Sequence, residues 1–301
     1  MVRNSKRSPR PQSRVADNAL PGKASTFGEG PASVTELYGV APVLEALRAG
    51  RRSIETITVA EGVRHHRLNE LIASARAKGI TVRQAPRAAL DRATANANHQ
   101  GVIAKVSAAR YTELADLLDR VGNQTAGDDP PLLIVLDGVE DPRNFGAILR
   151  TAECAGVHGV FIPERRAVGL TDTVAKASAG ALEHLPVTRV GNLTRLIDEL
   201  KERGVWTVGT SAEADMDYTA WDWTIPTAVF LGGEGAGLHR LVRERCDALV
   251  SIPIRGKIES LNVSVAAGIV LYEALRQRAA KKAPETATVS ATSRAAKARQ
   301  S

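Results

Sequence analysis

Three stretches of the chain concentrate residue types able to do chemistry. The first, Asp137-Gly-Val-Glu-Asp-Pro142-Arg-Asn144-Phe-Gly146-Ala-Ile-Leu-Arg150-Thr-Ala-Glu153, puts an amide and a guanidinium on one predicted helix that begins near Asn144. Gly146 and Arg150 fall one turn apart on it, and Arg150 comes close to Glu153. A surface ion pair is the plain reading of that spacing. Yet Arg150 follows Leu149 on an otherwise apolar helix, where an arginine calls for an anionic partner. The second stretch, Leu231-Gly-Gly-Glu234-Gly-Ala-Gly237-Leu, carries glycines that let backbone approach a ligand closely and leave N–H groups pointing into the turn, which suits a nucleotide-type ligand. No Gly-Lys-Ser/Thr follows, so it is not a P-loop, and its spacing is not that of a dinucleotide fingerprint. The third is Ile252-Pro-Ile-Arg255-Gly-Lys257-Ile-Glu-Ser260-Leu-Asn262-Val-Ser264, leading into an apolar helix over 263–272. Ser260 or Asn262 can cap that helix. Capping alone does not account for several polar groups gathering before a buried helix.

The elements that must position these groups follow from hydrophobic patterning. Short continuous apolar runs at 132–136, 157–162, 205–208, 227–231 and 248–252 read as strands covered on both faces. Helical stretches fall between them at 145–155, 173–180, 192–203 and 237–245. Alternation of this kind implies a parallel sheet with helices on both sides, and ligands in such sheets bind beyond the carboxyl ends of the strands. All three chemical stretches follow strand ends. Upstream, a helix from 38 to 47, strands at 54–59, 80–82 and 99–106, and a helix over 67–79 closed by a glycine make a small α/β domain. The predicted layout is a basic arm over 1–33, the small domain over 34–107, a linking helix over 108–130, the larger domain over 131–278 and a basic tail over 279–301. Arm and tail are rich in Pro, Ser, Gly, Ala and Lys/Arg, cannot bury enough surface to offset ordering entropy, and are expected to be disordered.

Composition narrows the class. A hydrophobic content of 44% is that of a globular protein, and no apolar run approaches the ~20 residues needed to cross a membrane. The basic start lacks an apolar stretch and cleavage site, so no secretory signal is expected and the address is cytoplasmic. Cys154 and Cys246 sit in no metal-ligand spacing, so both are read as buried thiols and no metal is expected. The net charge of +7 is uneven: residues 34–107 hold eleven basic and six acidic side chains, residues 108–275 sixteen and twenty-four. The small domain is thus the better polyanion binder of the two. Arg48, Arg51, Arg52, Arg64, His65, His66, Arg67 and Lys105 are its candidate RNA contacts, each of which taken singly also suits a solvated surface.

Taken in order, Asn144-x5-Arg150-x2-Glu153, then Gly-Gly-Glu-Gly-Ala-Gly-Leu, then Ser-Leu-Asn-Val-Ser-Val-Ala resemble the three motifs of the SpoU family of RNA ribose methyltransferases within the SPOUT superfamily. The resemblance covers 132 to about 276, and 34–107 is similar to the small ribosomal-protein-like substrate-binding domain of members that modify 23S rRNA. The resemblance implies S-adenosylmethionine as methyl donor, a deep trefoil knot in the catalytic domain, and a homodimer with active sites at the subunit interface. Carried over by position, Thr210, Gly232, Ile252 and Leu261 line the donor pocket, and Asn144, Arg150, Glu234, Ser260 and Asn262 match the catalytic positions.

The implied reaction is 2′-O-methylation of an RNA ribose, with a guanosine of 23S rRNA as the expected target. A guanidinium rarely gives up its proton, so Arg150 is expected to bind the target phosphate and stabilise charge on the 2′-oxygen, while the proton acceptor stays open. Alternatives are a tRNA or antibiotic-resistance rRNA target, or a non-catalytic RNA-binding or ribosome-assembly protein. Intact Asn144, Arg150, Glu234 and Asn262 speak against the last.

Overall fold

The computed structural model describes residues 34–63, 66–125, 129–235 and 237–282. The arm over 1–33, the tail beyond 282, Arg64 and His65 lie outside them.

The first part comprises β1 (Val34–Tyr38), α1 (Val40–Ala49), β2 (Ile54–Ala60), α2 (His66–Ala77), β3 (Thr81–Ala85), α3 (Arg87–Ala93) and β4 (Val102–Ser107). Its sheet has the order β1-β4-β2-β3, with β4 antiparallel to both neighbours and β2 parallel to β3. Val43, Leu44 and Leu47 on α1 and Leu68, Leu71 and Ala75 on α2 bury the faces that their helical spacing predicts.

The second part follows α4 (Leu114–Gln124). It comprises β5 (Leu132–Asp137), α5 (Pro142–Cys154), β6 (Gly159–Pro163), α6 (Asp172–Ala177), β7 (Val187–Val190), α7 (Leu193–Glu202), β8 (Trp206–Thr210), β9 (Met216–Asp217), β10 (Thr227–Gly232), α8 (Arg240–Arg245), β11 (Ala248–Ser251) and α9 (Val263–Lys282). The sheet order is β7-β6-β5-β10-β8-β11-β9, and every pairing in it is parallel. All six residues of β5 are buried, as a strand covered on both faces requires. The chain runs outward from β5 to β7, crosses back to β8, and only then lays β10 between β5 and β8. In parallel α/β sheets, ligands bind beyond the carboxyl ends of the strands where the strand order reverses in this way.

Local boundaries have local causes. Helix α5 starts two residues earlier than Asn144, because Asp141 accepts from the Arg143 N–H at 2.9 Å as N-cap and Pro142 fits the first turn. Within α5, Gly146 touches α6 so closely that a Cβ there would lie 2.4 Å from Ala177 Cβ. Helix α9 continues to Lys282 because its last turns are tied down: Arg278 donates to the Trp223 carbonyl at 2.9 Å, Lys281 to Thr224 Oγ1 at 3.2 Å, and Lys282 pairs with Asp129 at 3.1 Å.

A buried ion pair links the loop before β2 to the segment between α6 and β7. Arg52 Nη1 meets Glu183 at 3.0 Å, Nη2 donates to Thr35 Oγ1 at 3.0 Å and Nε to the Ser107 carbonyl at 2.7 Å. Beside it, Glu45 accepts from Arg48 at 2.6 Å and pairs with His184 at 2.9 Å. The expectation of two buried thiols is corrected: Cys154 ends α5 on its exposed face, whereas Cys246 is half-buried and its thiol is pushed up to about 12 by that burial.

Candidate active site

Three adjacent parallel strands, β10, β8 and β11, end at Gly232, Thr210 and Ser251, so Gly232, Thr210 and Ile252 lie on one carboxyl edge of the sheet. Thr210 Oγ1 donates to the Phe230 carbonyl at 3.2 Å, which ties the ends of β8 and β10 together. Beyond β10 the chain doubles back, with a bridge between Gly233 and Gly237. This turn leaves no space for side chains on its entry. A Cβ on Gly232 would lie 2.0 Å from the Gly237 carbonyl carbon, and one on Gly233 would lie 2.0 Å from the Gly138 carbonyl oxygen. Both contacts are with the protein's own backbone, so these two glycines let the turn pack directly on the strand ends, and the carboxyl edge beside it is a cradle walled by backbone rather than by side chains.

Glu234, on that turn, begins a line of hydrogen bonds that crosses to the other chemical stretches. Asn144 Nδ2 donates to Glu234 Oε1, and Asn262 Nδ2 donates to Asn144 Oδ1 at 3.0 Å. Asn262 Oδ1 in turn accepts from the Ser264 N–H at 2.9 Å and from Ser264 Oγ at 2.6 Å. The direction is forced. A backbone N–H can only donate, so Asn262 must present its oxygen to Ser264 and its NH2 to Asn144; Asn144 must then present its own NH2 to Glu234. Glu234 Oε1 is left as the terminal acceptor, with an exposed carboxylate. Asn144 is buried at 9% exposure on the apolar face of α5, and Asn262 is the residue that caps α9.

Arg150 does not join this line. Six residues on from Asn144, at about 100° each, it sits roughly 240° round the helix. Its side chain is exposed and makes no ion pair with Glu153 or with any other group among the described residues. Ser260 is exposed as well and caps nothing; Leu261 is 41% exposed. Of the expected RNA contacts, Arg52 is spent in its pair with Glu183, and Arg48 bridges Glu45 and Glu70 at 2.6 Å each. Arg51 and Lys105 are exposed without a partner among the described residues, Arg67 is exposed, and His66 opens α2.

Three residues at this edge, Asp137, His239 and Ser264, carried no role in the sequence reading. Asp137, at the end of β5, is 4% exposed, and its carboxylate accepts from both the N–H and the Nδ1 of His239 at 2.8 Å. Ser264 fixes the direction of the amide line. Asp137 and His239 stand 102 residues apart, and no spacing rule could have paired them.

Comparison with known proteins bears on this edge directly. Residues 131–272 match the model of the SpoU rRNA Methylase family, and residues 37–112 match that of the RNA 2′-O ribose methyltransferase substrate-binding domain. A 23S rRNA (guanosine-2′-O-)-methyltransferase, RlmB, of Pseudomonas syringae pv. tomato is 44% identical over 252 residues, covering 83% of this chain and 98% of its own. The chain belongs to the SpoU family. RlmB of Ralstonia nicotianae is similar at 45% identity over 80% of this chain and 95% of its own. Among solved structures, the SpoU methyltransferase AviRb from Streptomyces viridochromogenes in complex with AdoMet aligns with a TM-score of 0.66 at 29% identity, over 82% of this chain and 91% of that one. The three stretches that hold the amide line and the cradle all fall within the matched 131–272.

Proposed function

We propose that this protein transfers a methyl group from S-adenosylmethionine to the 2′-hydroxyl of a ribose in RNA, with a guanosine of 23S rRNA as the target. The observation that carries this reading is the line Ser264–Asn262–Asn144–Glu234, which ends in an acceptor oxygen beside a glycine cradle at the strand ends of a SpoU-family sheet. Thr210, Gly232, Ile252 and Leu261 would hold the donor, largely through backbone. When bound, the donor supplies a sulfonium methyl carbon whose S–C bond breaks as the ribose O–C bond forms, with sulfur keeping the electron pair.

The chain's own groups supply the rest. Glu234 has one oxygen held by Asn144 and the other available to take the hydroxyl proton. Arg150 binds the target phosphate and offsets charge developing on the 2′-oxygen. Because Arg150 faces away from Asn144 within one chain, we infer a homodimer in which it serves a site at the subunit interface. Leu261, Val265, Tyr272 and Leu275, exposed at 37–52%, lend α9 and its approach an apolar surface that such an interface would cover. The deep trefoil knot, the ribosomal-protein-like character of the first sheet domain and a cytoplasmic address complete the proposal. Among the described residues no helix is long and apolar enough to cross a membrane, and no group of three or more His, Cys, Asp or Glu could hold a metal ion.

Mapping 2′-O-methyl marks across rRNA and tRNA in cells with and without the protein tests the reading: one guanosine mark in 23S rRNA should disappear. A lost tRNA mark instead would redirect the substrate, and an unchanged map would reject the activity. Arg150→Lys keeps the charge but loses the forked donor, and should abolish methylation while RNA affinity holds.

A further inference from the structure

Asp137 holds both ends of the glycine turn. Its backbone carbonyl accepts from the Gly233 N–H at 2.7 Å, where the chain leaves β10. Its carboxylate accepts from the His239 N–H at 2.8 Å, where the chain enters α8, and again from His239 Nδ1 at 2.8 Å. One residue, at the end of β5, therefore pins the first and last positions of the segment that carries Glu234. The pinning is tight. Gly233 has no space for a Cβ against the Gly138 carbonyl, and Leu238, just before His239, is buried at 7% exposure.

The chemistry of the contact is specific. A buried carboxylate must have its oxygens satisfied, and His239 supplies both donors by presenting its backbone N–H and its ring together. Since the carboxylate only accepts, Nδ1 carries the proton and Nε2 does not depend on the contact. The histidine side chain is 54% exposed and the aspartate 5%, so the imidazole is the removable half of the contact while the carboxylate is fixed in the strand end.

We propose that Asp137 and His239 are positioning residues for the methyl-donor site, forming a two-ended clasp that holds the 233–238 turn against the strand ends and so sets donor affinity. The donor half of this inference rests on the methyltransferase reading; the clasp itself does not. Neither residue touches the amide line. They act through the turn on the cradle at Gly232 and on the placement of Glu234.

Hydrogen exchange and calorimetry on the full chain test it. His239→Ala should speed amide exchange in 233–238 of the free protein, leave exchange in β5 and β10 unchanged, lower the melting temperature by several degrees at most, weaken S-adenosylmethionine binding about tenfold and raise the donor KM in step, with RNA affinity unchanged. His239→Asn, whose amide N–H can stand in for Nδ1, should recover donor affinity to within about threefold of wild type. Unchanged exchange in the turn for His239→Ala, exchange that rises across the whole sheet, or an asparagine variant no better than alanine would each overturn the clasp. Failure of the wild-type protein to bind the donor would sink the functional reading instead, while the exchange measurement still decides the clasp.

Discussion

Arg52 and Glu183 meet at 3.0 Å with their side chains only 7% and 3% exposed, one in the loop that precedes β2 and the other in the segment between α6 and β7. Arg52 also donates to Thr35 and Ser107, so each of its three nitrogens is held within the protein. Breaking one half leaves a buried charge without a partner, which costs about 3–5 kcal/mol. Arg52→Ala should lower the unfolding free energy by that order in denaturant titration. A variant within about 1 kcal/mol of wild type would contradict a buried clamp.

The RNA contacts of the first domain should be separable from that clamp by salt. Arg51 and Lys105 are exposed and without partners among the described residues, so Arg51→Ala and Lys105→Ala should each weaken RNA binding and reduce the slope of log affinity against log salt by about one. Arg48 already faces two carboxylates, and its removal should change the slope by less. Equal slopes for wild type, Arg51→Ala and Lys105→Ala would exclude both as phosphate ligands.

In the amide line, Asn262→Asp is the informative change. The new carboxylate still accepts from Ser264, but it turns an acceptor toward Asn144 Oδ1 where a donor stood. Asn144 then loses its only fixed orientation and with it the hold on Glu234. A fall in kcat of about 100-fold, or about 2.7 kcal/mol, is expected with donor affinity retained. A kcat within a few fold of wild type would show that the line does not orient Glu234.

Acid should act on the junction between the sheets. Burial alone would raise the Glu45 carboxyl, but hydrogen bonds from His184 and Arg48 outweigh it and hold the group below its ordinary 4.5. A carboxyl depressed in the folded state contributes stability in full above its unfolded value and loses it as pH falls through the folded value. Unfolding free energy should therefore decline on acidification below about 4.5, and Glu45→Gln should flatten part of that decline. Superimposable curves for the two proteins across this range would remove Glu45 from the acid response.

The sequence made much of the larger domain readable because its strands are continuous apolar runs: 132–136 and 227–231 land on β5 and β10. The short β7 and two-residue β9 carry too few residues to show a period, and β1 buries only Leu37, so none of them stands out from loop. Asn144, Glu234 and Asn262 were grouped by the order of their motifs, whereas their hydrogen-bond sequence needed coordinates. Charge type misled at Arg52, since an arginine reads as surface until its acid, 131 residues on, is known. Asp137 carried no role for the same reason: what it holds arrives 102 residues later.

Strand β10 also governs time. It pairs Thr227 with Leu132 on one side and Trp206 on the other, so the sheet cannot be completed by adding strands at an edge. Its place lies between two strands made earlier in the chain, and closure over such sequence separations is slow. Until Thr227–Gly232 has passed into that gap, the cradle, the acceptor oxygen and the clasp have no common frame. Strand β11 fills a second such gap, between β8 and β9, so completion of the sheet waits on both insertions.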